Sequence, residues 1–127
     1  MKKKQPKILF VEDDKFILSM YSLKFLSEGF VVRGAMTAED GLKEASIFKP
    51  DLIMLDIMLP DDDGITLLKK LKRNKATNAI PVVLLSNLSE PAYREQGLIY
   101  GALDFWVKAY YDPAEIVEKV KKILSDN

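Results

Sequence analysis

Polar residues follow four short apolar runs, and their types are those that phosphoryl-transfer chemistry uses. Glu12 and Asp13 follow the first run, and Asp56 follows the third run. Ser86 follows the fourth run, and Lys108 follows the fifth. A carboxylate can attack phosphorus as a nucleophile. A lysine, a hydroxyl group and a divalent cation held by acids can stabilise the charge that spreads over the phosphoryl oxygens.

The acids need a cation if the fold brings them together. Two carboxylates about 5 Å apart repel each other by roughly 3 kcal/mol at an effective dielectric constant of about 20. A third carboxylate adds to this repulsion, and either raises a pKa or requires a cation. Mg²⁺ is the natural partner because it is a hard ion that prefers oxygen ligands.

Five apolar runs with helix signals between them predict the elements that position these residues. Three of the runs are nearly all apolar, which is typical of strands buried on both faces of a parallel sheet. Strands that alternate with helices favour an α/β fold with helices on both faces of that sheet. The predicted strands are Ile8–Val11, Phe30–Val32, Leu52–Leu55, Pro81–Leu85 and Leu103–Val107.

Capping signals predict where the helices begin and end. Asp112, Pro113 and Glu115 have the pattern of an N-cap, a first-turn proline and the acid of a capping box. Gly29 is well placed to end the first helix. The first four helices are predicted to start at or next to Asp14, Thr37, Gly64 and Ser89.

Ligands of open α/β sheets bind beyond the carboxyl ends of the strands. The second strand is predicted to end at Arg33 and Gly34, which offer no comparable chemistry. If the other four strands are neighbours, their polar residues converge on one site. Taken singly, Glu12 and Asp13 could instead cap the first helix, and Asp56 could be a loop acid.

Composition excludes several classes of function. The chain has no cysteine and no histidine, which removes disulfides, thiolate catalysis and the commonest general base. The formal net charge is zero, which argues against direct binding to nucleic acid, because such binding needs a basic excess.

The length of 127 residues predicts a single domain over residues 1–127, with a core at 7–124 and a flexible basic tail at 1–6. The apolar run after the N-terminal lysines is too short for a signal peptide, and no segment approaches the length of a membrane span. We therefore expect a cytoplasmic protein without membrane insertion. Because the last predicted helix runs almost to Asn127, we expect no output domain in this sequence.

Taken together, the segments ILFVEDD, DLIMLDIMLPDDDG, VVLLS and GALDFWVK resemble receiver domains of two-component response regulators. The resemblance covers residues 7–124 and includes the spacing of Asp13, Asp56, Ser86 and Lys108. It implies a flavodoxin-like, doubly wound sheet of five parallel strands in the order 2-1-3-4-5, with five helices.

The resemblance also implies the roles of the acids. Asp56 corresponds to the phosphorylated aspartate. Glu12, Asp13, Asp56 and the backbone carbonyl of Met58 correspond to the groups that hold Mg²⁺, with Glu12 acting through water. The neighbouring acids Asp61, Asp62 and Asp63 are interpreted as a solvated loop.

The remaining site residues correspond to the parts that sense phosphorylation. Ser86 would bond the phosphoryl group, Lys108 would pair with it, and Ser86 and Phe105 would form the switch. The donor would be a histidine kinase or a histidine phosphotransfer protein. The chain would then be a self-catalysed phosphoacceptor rather than a turnover enzyme. Its output would be contact with an unknown downstream protein, and it would be a monomer or a weak dimer through the fourth helix, fifth strand and fifth helix.

Three residues depart from the family pattern. Ala109 replaces the usual proline after Lys108, and we predict a trans bond there, because a cis bond without proline costs about 2.5–4 kcal/mol. Asn87 replaces a small residue, and we predict that it slows exchange of the phosphoryl group. Phe105 replaces a frequent tyrosine and has no hydroxyl group, so its switching would depend on packing alone.

Two other functions compete with phosphoacceptance. Ala109 and Asn87 leave open a degenerate receiver that acts as a docking module independent of phosphorylation. A flavodoxin-type mononucleotide binder is disfavoured, because the loop after the first strand is acidic and repels phosphate. Trp106 is interpreted as core, and Tyr110 and Tyr111 as packing at the rim of the site.

Overall fold

The computed structural model describes residues 5–126. The predicted tail at residues 1–6 therefore lies largely outside the described residues. Over residues 5–126 no helix is both long enough and apolar enough to cross a membrane. The elements in chain order are β1 (Lys7–Val11), α1 (Lys15–Ser27), β2 (Val31–Ala35), α2 (Ala38–Phe48), β3 (Leu52–Leu55), α3 (Gly64–Arg73), β4 (Val82–Ser86), α4 (Pro91–Ile99), β5 (Asp104–Val107), a 3₁₀ turn (Lys108–Tyr110) and α5 (Pro113–Ser125).

The strands form one parallel sheet in the order β2-β1-β3-β4-β5. This confirms the predicted doubly wound, flavodoxin-like fold. Successive residues of the central strands point to opposite faces of the sheet and contribute to two hydrophobic cores, one on each face. One core packs against α1 and α5, and the other packs against α2, α3 and α4. The strand order places the carboxyl ends of β1, β3, β4 and β5 side by side.

Most of the predicted helix ends are confirmed. Asp14 caps α1 by accepting the backbone N–H groups of Phe16 and Ile17, and Thr37 caps α2. Gly29 follows the end of α1 with a φ of 91°, a conformation that glycine adopts without strain. The capping box at the start of α5 is formed by Asp112 and Glu115, as predicted. Because Asp14 does the capping, Glu12 and Asp13 remain available for other contacts.

The predicted end of β2 and the predicted cap of α4 are wrong. β2 does not end at Arg33 and Gly34 but continues to Ala35, because it pairs with β1 along its whole length. Ser89 does not cap α4, whose N-cap is Glu90 and makes no side-chain capping bond. Pro91 occupies the first turn instead, where its fixed φ and missing N–H suit a helix start.

The acidic loop after β3 contributes to the fold in a way that its composition does not reveal. Asp61 accepts the backbone N–H groups of Ala38 and Glu39, at 2.7 and 3.0 Å, and so caps α2 from outside that helix. Asp63 caps α3 by accepting the N–H of Thr66. The interpretation of residues 61–63 as merely solvated was therefore incomplete.

We expect the stabilising effect of Asp61 to depend on pH. The N–H groups of Ala38 and Glu39 hold the pKa of the Asp61 carboxyl below its usual value. A carboxyl group whose pKa is lower in the folded state than in the unfolded state stabilises the fold. The contribution is complete at a pH above the usual pKa of aspartate, and it is lost as the pH falls through the lowered pKa. Thermal unfolding should show Asp61→Ala less stable than the parent at neutral pH, with the difference shrinking in acid. Asp62→Ala is the control, and an equal loss in both variants would contradict the capping role.

Candidate functional site

Three acids converge at the carboxyl ends of β1 and β3. Glu12, Asp13 and Asp56 each offer a carboxylate oxygen within 4.8 Å of the others. Glu12 and Asp56 are buried, whereas Asp13 is exposed to solvent. The predicted convergence of these residues on one site is therefore observed in the structure.

Lys108 reaches the same cluster from the end of β5. Its ammonium group donates a hydrogen bond to Glu12 and another, of 2.9 Å, to Oδ2 of Asp56. Only 9% of the Lys108 side chain is exposed, so this ion pair is largely shielded from solvent. Lys108 therefore lies beside Asp56, the carboxylate that the sequence predicts to be the phosphoacceptor.

Local backbone geometry orients Asp56. Its Oδ1 atom accepts the N–H of Ile57 at 2.7 Å, with a longer contact of 3.4 Å to the N–H of Met58. Gly64, the first residue of α3, donates its own N–H to the carbonyl oxygen of Ile57 at 2.6 Å. The loop that carries Asp56 is therefore packed directly against the start of α3.

Burial and pairing shift the pKa values of two site residues. Burial raises the pKa of the Glu12 carboxyl above its usual value, although the hydrogen bonds from Lys108 and from the N–H of Asp14 oppose this. Burial alone would lower the pKa of the Lys108 ammonium. The hydrogen bonds and charges of Glu12 and Asp56 outweigh burial, so this pKa lies above its usual value and Lys108 stays charged at neutral pH.

Ser86 is the last residue of β4, the strand that pairs with β3. It is 1% exposed, and its hydroxyl oxygen accepts the N–H of Leu88 at 3.3 Å. Within residues 5–126 no hydrogen bond is formed by the hydroxyl hydrogen of Ser86. This hydrogen can therefore be donated to a group that arrives at the site.

The structure also locates the other residues predicted to act here. Phe105 is buried in the core, and its carbonyl accepts a hydrogen bond from Arg94. Its role in switching stays a prediction, as does the role of the Met58 carbonyl as a metal ligand. Trp106 is buried as predicted, and its indole N–H donates to Asp104 at 3.0 Å. No described peptide bond is cis, so the predicted trans bond between Lys108 and Ala109 is confirmed.

The donor set fits a hard divalent cation. Its atoms are carboxylate oxygens, the ligands that Mg²⁺ prefers, and they lie close enough together to share one ion. Asp13 takes part in no hydrogen bond or ion pair found over residues 5–126, so its oxygens remain available. Lys108 supplies only one positive charge against three negative ones, which leaves an excess that a cation would neutralise.

Removing the charge of Asp13 should therefore stabilise the protein when Mg²⁺ is absent. Two unit charges 4.8 Å apart repel by about 3 kcal/mol at an effective dielectric constant of about 20, and the exposure of Asp13 reduces this figure. We expect Asp13→Asn to raise the free energy of unfolding by about 1 kcal/mol in chelator. Urea denaturation with chelator and with saturating Mg²⁺ measures the difference.

Saturating Mg²⁺ should reverse this advantage, because the parent gains more from the ion than the variant does. Glu95→Gln, which removes an exposed charge on α4, is the matched control and should change little. If Asp13→Asn lowered stability in chelator, the repulsion would not exist. If Mg²⁺ stabilised both proteins equally, Asp13 would not help to hold the ion.

One contact at the rim of the site was missed by the sequence interpretation. The side-chain oxygen of Asn87 accepts the backbone N–H of Ala109 at 3.1 Å. Both residues depart from the family pattern, but nothing in the sequence indicates that they touch.

Comparison with known proteins identifies the class of protein that this fold and site define. A family model described as "Response regulator receiver domain" matches residues 8–121. The chain belongs to this family, whose members are signalling modules of two-component systems. Receiver domains bind Mg²⁺ at an acidic pocket, and the cluster of Glu12, Asp13 and Asp56 fits such a site.

Individual relatives agree with this assignment. The chain is 36% identical over 119 residues to the DNA-binding dual master transcriptional regulator RpaA of Synechocystis, covering 94% of this chain and 49% of that protein. It spans about half the length of the curated relatives first matched.

Two solved structures show the same fold. A CheY-like response regulator receiver domain protein from Methanospirillum hungatei superimposes with a TM-score of 0.90 at 28% identity, over 97% of this chain and 96% of that one. The BeF₃-activated N-terminal receiver domain of Klebsiella pneumoniae RstA gives a TM-score of 0.83 at 30% identity, over 91% and 95% of the two chains.

Proposed function

We propose that Asp56 accepts a phosphoryl group from a histidine kinase or a histidine phosphotransfer protein, in a reaction that requires Mg²⁺. The convergence of Glu12, Asp13, Asp56 and Lys108 at one edge of the sheet is the observation that carries this proposal. Membership of the receiver family supports it, since relatives of this chain are response regulators.

In the proposed reaction, a carboxylate oxygen of Asp56 forms a bond to phosphorus. The bond from phosphorus to the imidazole nitrogen of the donor breaks, and its electron pair stays with that nitrogen. The product is an acyl phosphate on Asp56. Bound Mg²⁺, held by Glu12, Asp13, Asp56 and the carbonyl of Met58, would supply charge neutralisation on the phosphoryl oxygens.

Two further residues would recognise the product. Lys108 already contacts Asp56, so its ammonium group can pair with a phosphoryl oxygen after only a short movement. Ser86 can donate its hydroxyl hydrogen to another phosphoryl oxygen. Because Ser86 and Lys108 lie at the ends of β4 and β5, their movement toward the new charge would bias the adjacent α4, β5 and α5 surface toward an active state.

We propose that this surface is the output of the domain. It would contact a downstream protein or, in a weak dimer, a second copy of the chain. The experiment that tests the switch is addition of beryllofluoride with Mg²⁺ while the fluorescence of Trp106 is recorded. Trp106 is the only tryptophan and lies in β5, two residues before Lys108.

A working receiver should show a saturable change in Trp106 fluorescence, and Asp56→Asn should show none. The alternative is a docking module that does not use phosphorylation, and the ion pairing of Lys108 with two acids in the absence of a phosphoryl group is compatible with it. No response in the parent, together with no gain in mass from acetyl phosphate, would favour the docking module.

A further inference from the structure

The hydrogen bond between Asn87 and Ala109 joins the two loops that carry the phosphoryl-sensing residues. Asn87 directly follows Ser86 at the end of β4, and Ala109 directly follows Lys108 at the end of β5. The bond runs from the backbone N–H of Ala109 to the side-chain oxygen of Asn87, at 3.1 Å.

This bond is one of two tethers that bracket Lys108. On the N-terminal side, β4 and β5 pair up to Ser86 and Val107, the last pair of their ladder. On the C-terminal side, the hydrogen bond from the N–H of Ala109 to the side chain of Asn87 links the two segments one residue beyond this last strand pair. The backbone of Lys108 is thus held to the same segment that carries the Ser86 hydroxyl.

Only a residue with a backbone N–H can form this bond from position 109. A proline, which the resemblance leads one to expect after Lys108, has no N–H to donate. An alanine or glycine at position 87 would offer no side-chain acceptor. Two of the three departures from the family pattern are therefore the two partners of one hydrogen bond.

We infer that Asn87 is a positioning residue that holds Lys108 in place for phosphoryl transfer, through its bond to Ala109. The inference rests on the proposed function and adds a means of orienting the lysine before the phosphoryl group arrives. Orientation in advance matters because a charged group that is already in place stabilises the transition state without reorganising during the reaction. Asn87 acts on the reaction only through Lys108, since its oxygen is bonded to the backbone rather than directed at Asp56.

The direct test is hydrogen exchange of the Lys108 ammonium, followed by ¹⁵N NMR without Mg²⁺ or phosphodonor. A largely buried ammonium that is bonded to Glu12 and Asp56 should exchange slowly, and Lys108→Met assigns its signal. We expect Asn87→Ala to accelerate this exchange by about threefold. The effect is small because Asn87 and Ala109 are both exposed, so water competes for their hydrogen bond. Ser89→Ala, in the same loop but without this contact, should leave the exchange unchanged.

The second readout is the rate of labelling by acetyl phosphate with Mg²⁺. We expect Asn87→Ala to slow it by about threefold, without weakening Mg²⁺ binding, and to have no further effect when Lys108→Met is already present. This direction is opposite to the prediction from the sequence that Asn87 slows phosphoryl exchange, and the labelling rate decides between the two. Unchanged ammonium exchange in Asn87→Ala, or an equal slowing with and without Lys108, would overturn the inference. If the parent itself takes no phosphoryl group, the proposed function fails instead, and the ammonium exchange still decides whether Asn87 positions Lys108.

Discussion

Lys108→Met is expected to slow phosphorylation of Asp56 by about 10²–10³-fold. Lys108 is the only cation paired with Glu12 and Asp56 in the described structure, and its ammonium lies 2.9 Å from Oδ2 of Asp56. A charged group already beside the reacting carboxylate stabilises developing phosphoryl charge at little reorganisation cost. The measurement is a time course of labelling by acetyl phosphate with Mg²⁺, followed by mass spectrometry.

The same variant should bind Mg²⁺ more tightly, because the competing cation is gone. We expect an increase in affinity of about tenfold, which corresponds to about 1.4 kcal/mol. Without Mg²⁺, the loss of Lys108 leaves Glu12 and Asp56 buried without a counter-charge and should lower the free energy of unfolding by about 3 kcal/mol. Titration of Mg²⁺ and urea denaturation measure these two effects.

Lys122→Met is the matched control, since it removes an exposed lysine of α5 away from the site. It should change neither phosphorylation nor Mg²⁺ affinity. If Lys108→Met lowered Mg²⁺ affinity, then Lys108 would support the metal site rather than compete for it, and the electrostatic account of the cluster would be wrong.

Gly64→Ala is expected to lower the free energy of unfolding by about 3 kcal/mol and to disturb Asp56. A Cβ atom on Gly64 would lie 2.1 Å from the carbonyl oxygen of Asp56 and 2.8 Å from the Cα of Ile57. Both are backbone atoms, so no side-chain rotation relieves the clash, and the loop that carries Asp56 must move. Chemical denaturation measures the loss of stability.

Gly34→Ala provides the matched control. The atoms nearest to its added Cβ would be side-chain atoms of Leu18, at 3.0 Å, and the Leu18 side chain can adjust. We expect a much smaller loss of stability from Gly34→Ala than from Gly64→Ala. Equal stability of the two variants would show that the start of α3 does not constrain the Asp56 loop.

Much of the fold could be predicted because its signals are local. β3 is continuously apolar, Asp14 and Thr37 precede helical segments, and Asp112 and Glu115 form a capping box within four residues of chain. Such features depend on neighbours in sequence. The strand order followed from the resemblance and not from the apolar pattern, which permits several arrangements.

The parts that could not be predicted depend on contacts between distant residues. The end of β2 was placed too early, because its extent is set by pairing with β1 and not by its own polar residues. Asp61 caps a helix that begins 23 residues before it, and Asn87 bonds a residue 22 positions away. Nothing in the local sequence marks either contact.

The candidate site shows the same division. The residue types and spacing identified Glu12, Asp13, Asp56, Ser86 and Lys108, and the sheet brings their loops together. Sequence did not indicate which acid Lys108 would pair with, because that depends on side-chain geometry across three strands. The ion pair with both Glu12 and Asp56 is known only from the structure.

The central claim is that Asp56 accepts the phosphoryl group, and the mass of the intact protein tests it most directly. Incubation with acetyl phosphate and Mg²⁺ should add the mass of one phosphoryl group, and hydroxylamine should remove it, as expected of an acyl phosphate. Asp56→Asn should gain no mass under the same conditions. An unchanged mass in the parent, or an equal gain in Asp56→Asn, would contradict the account.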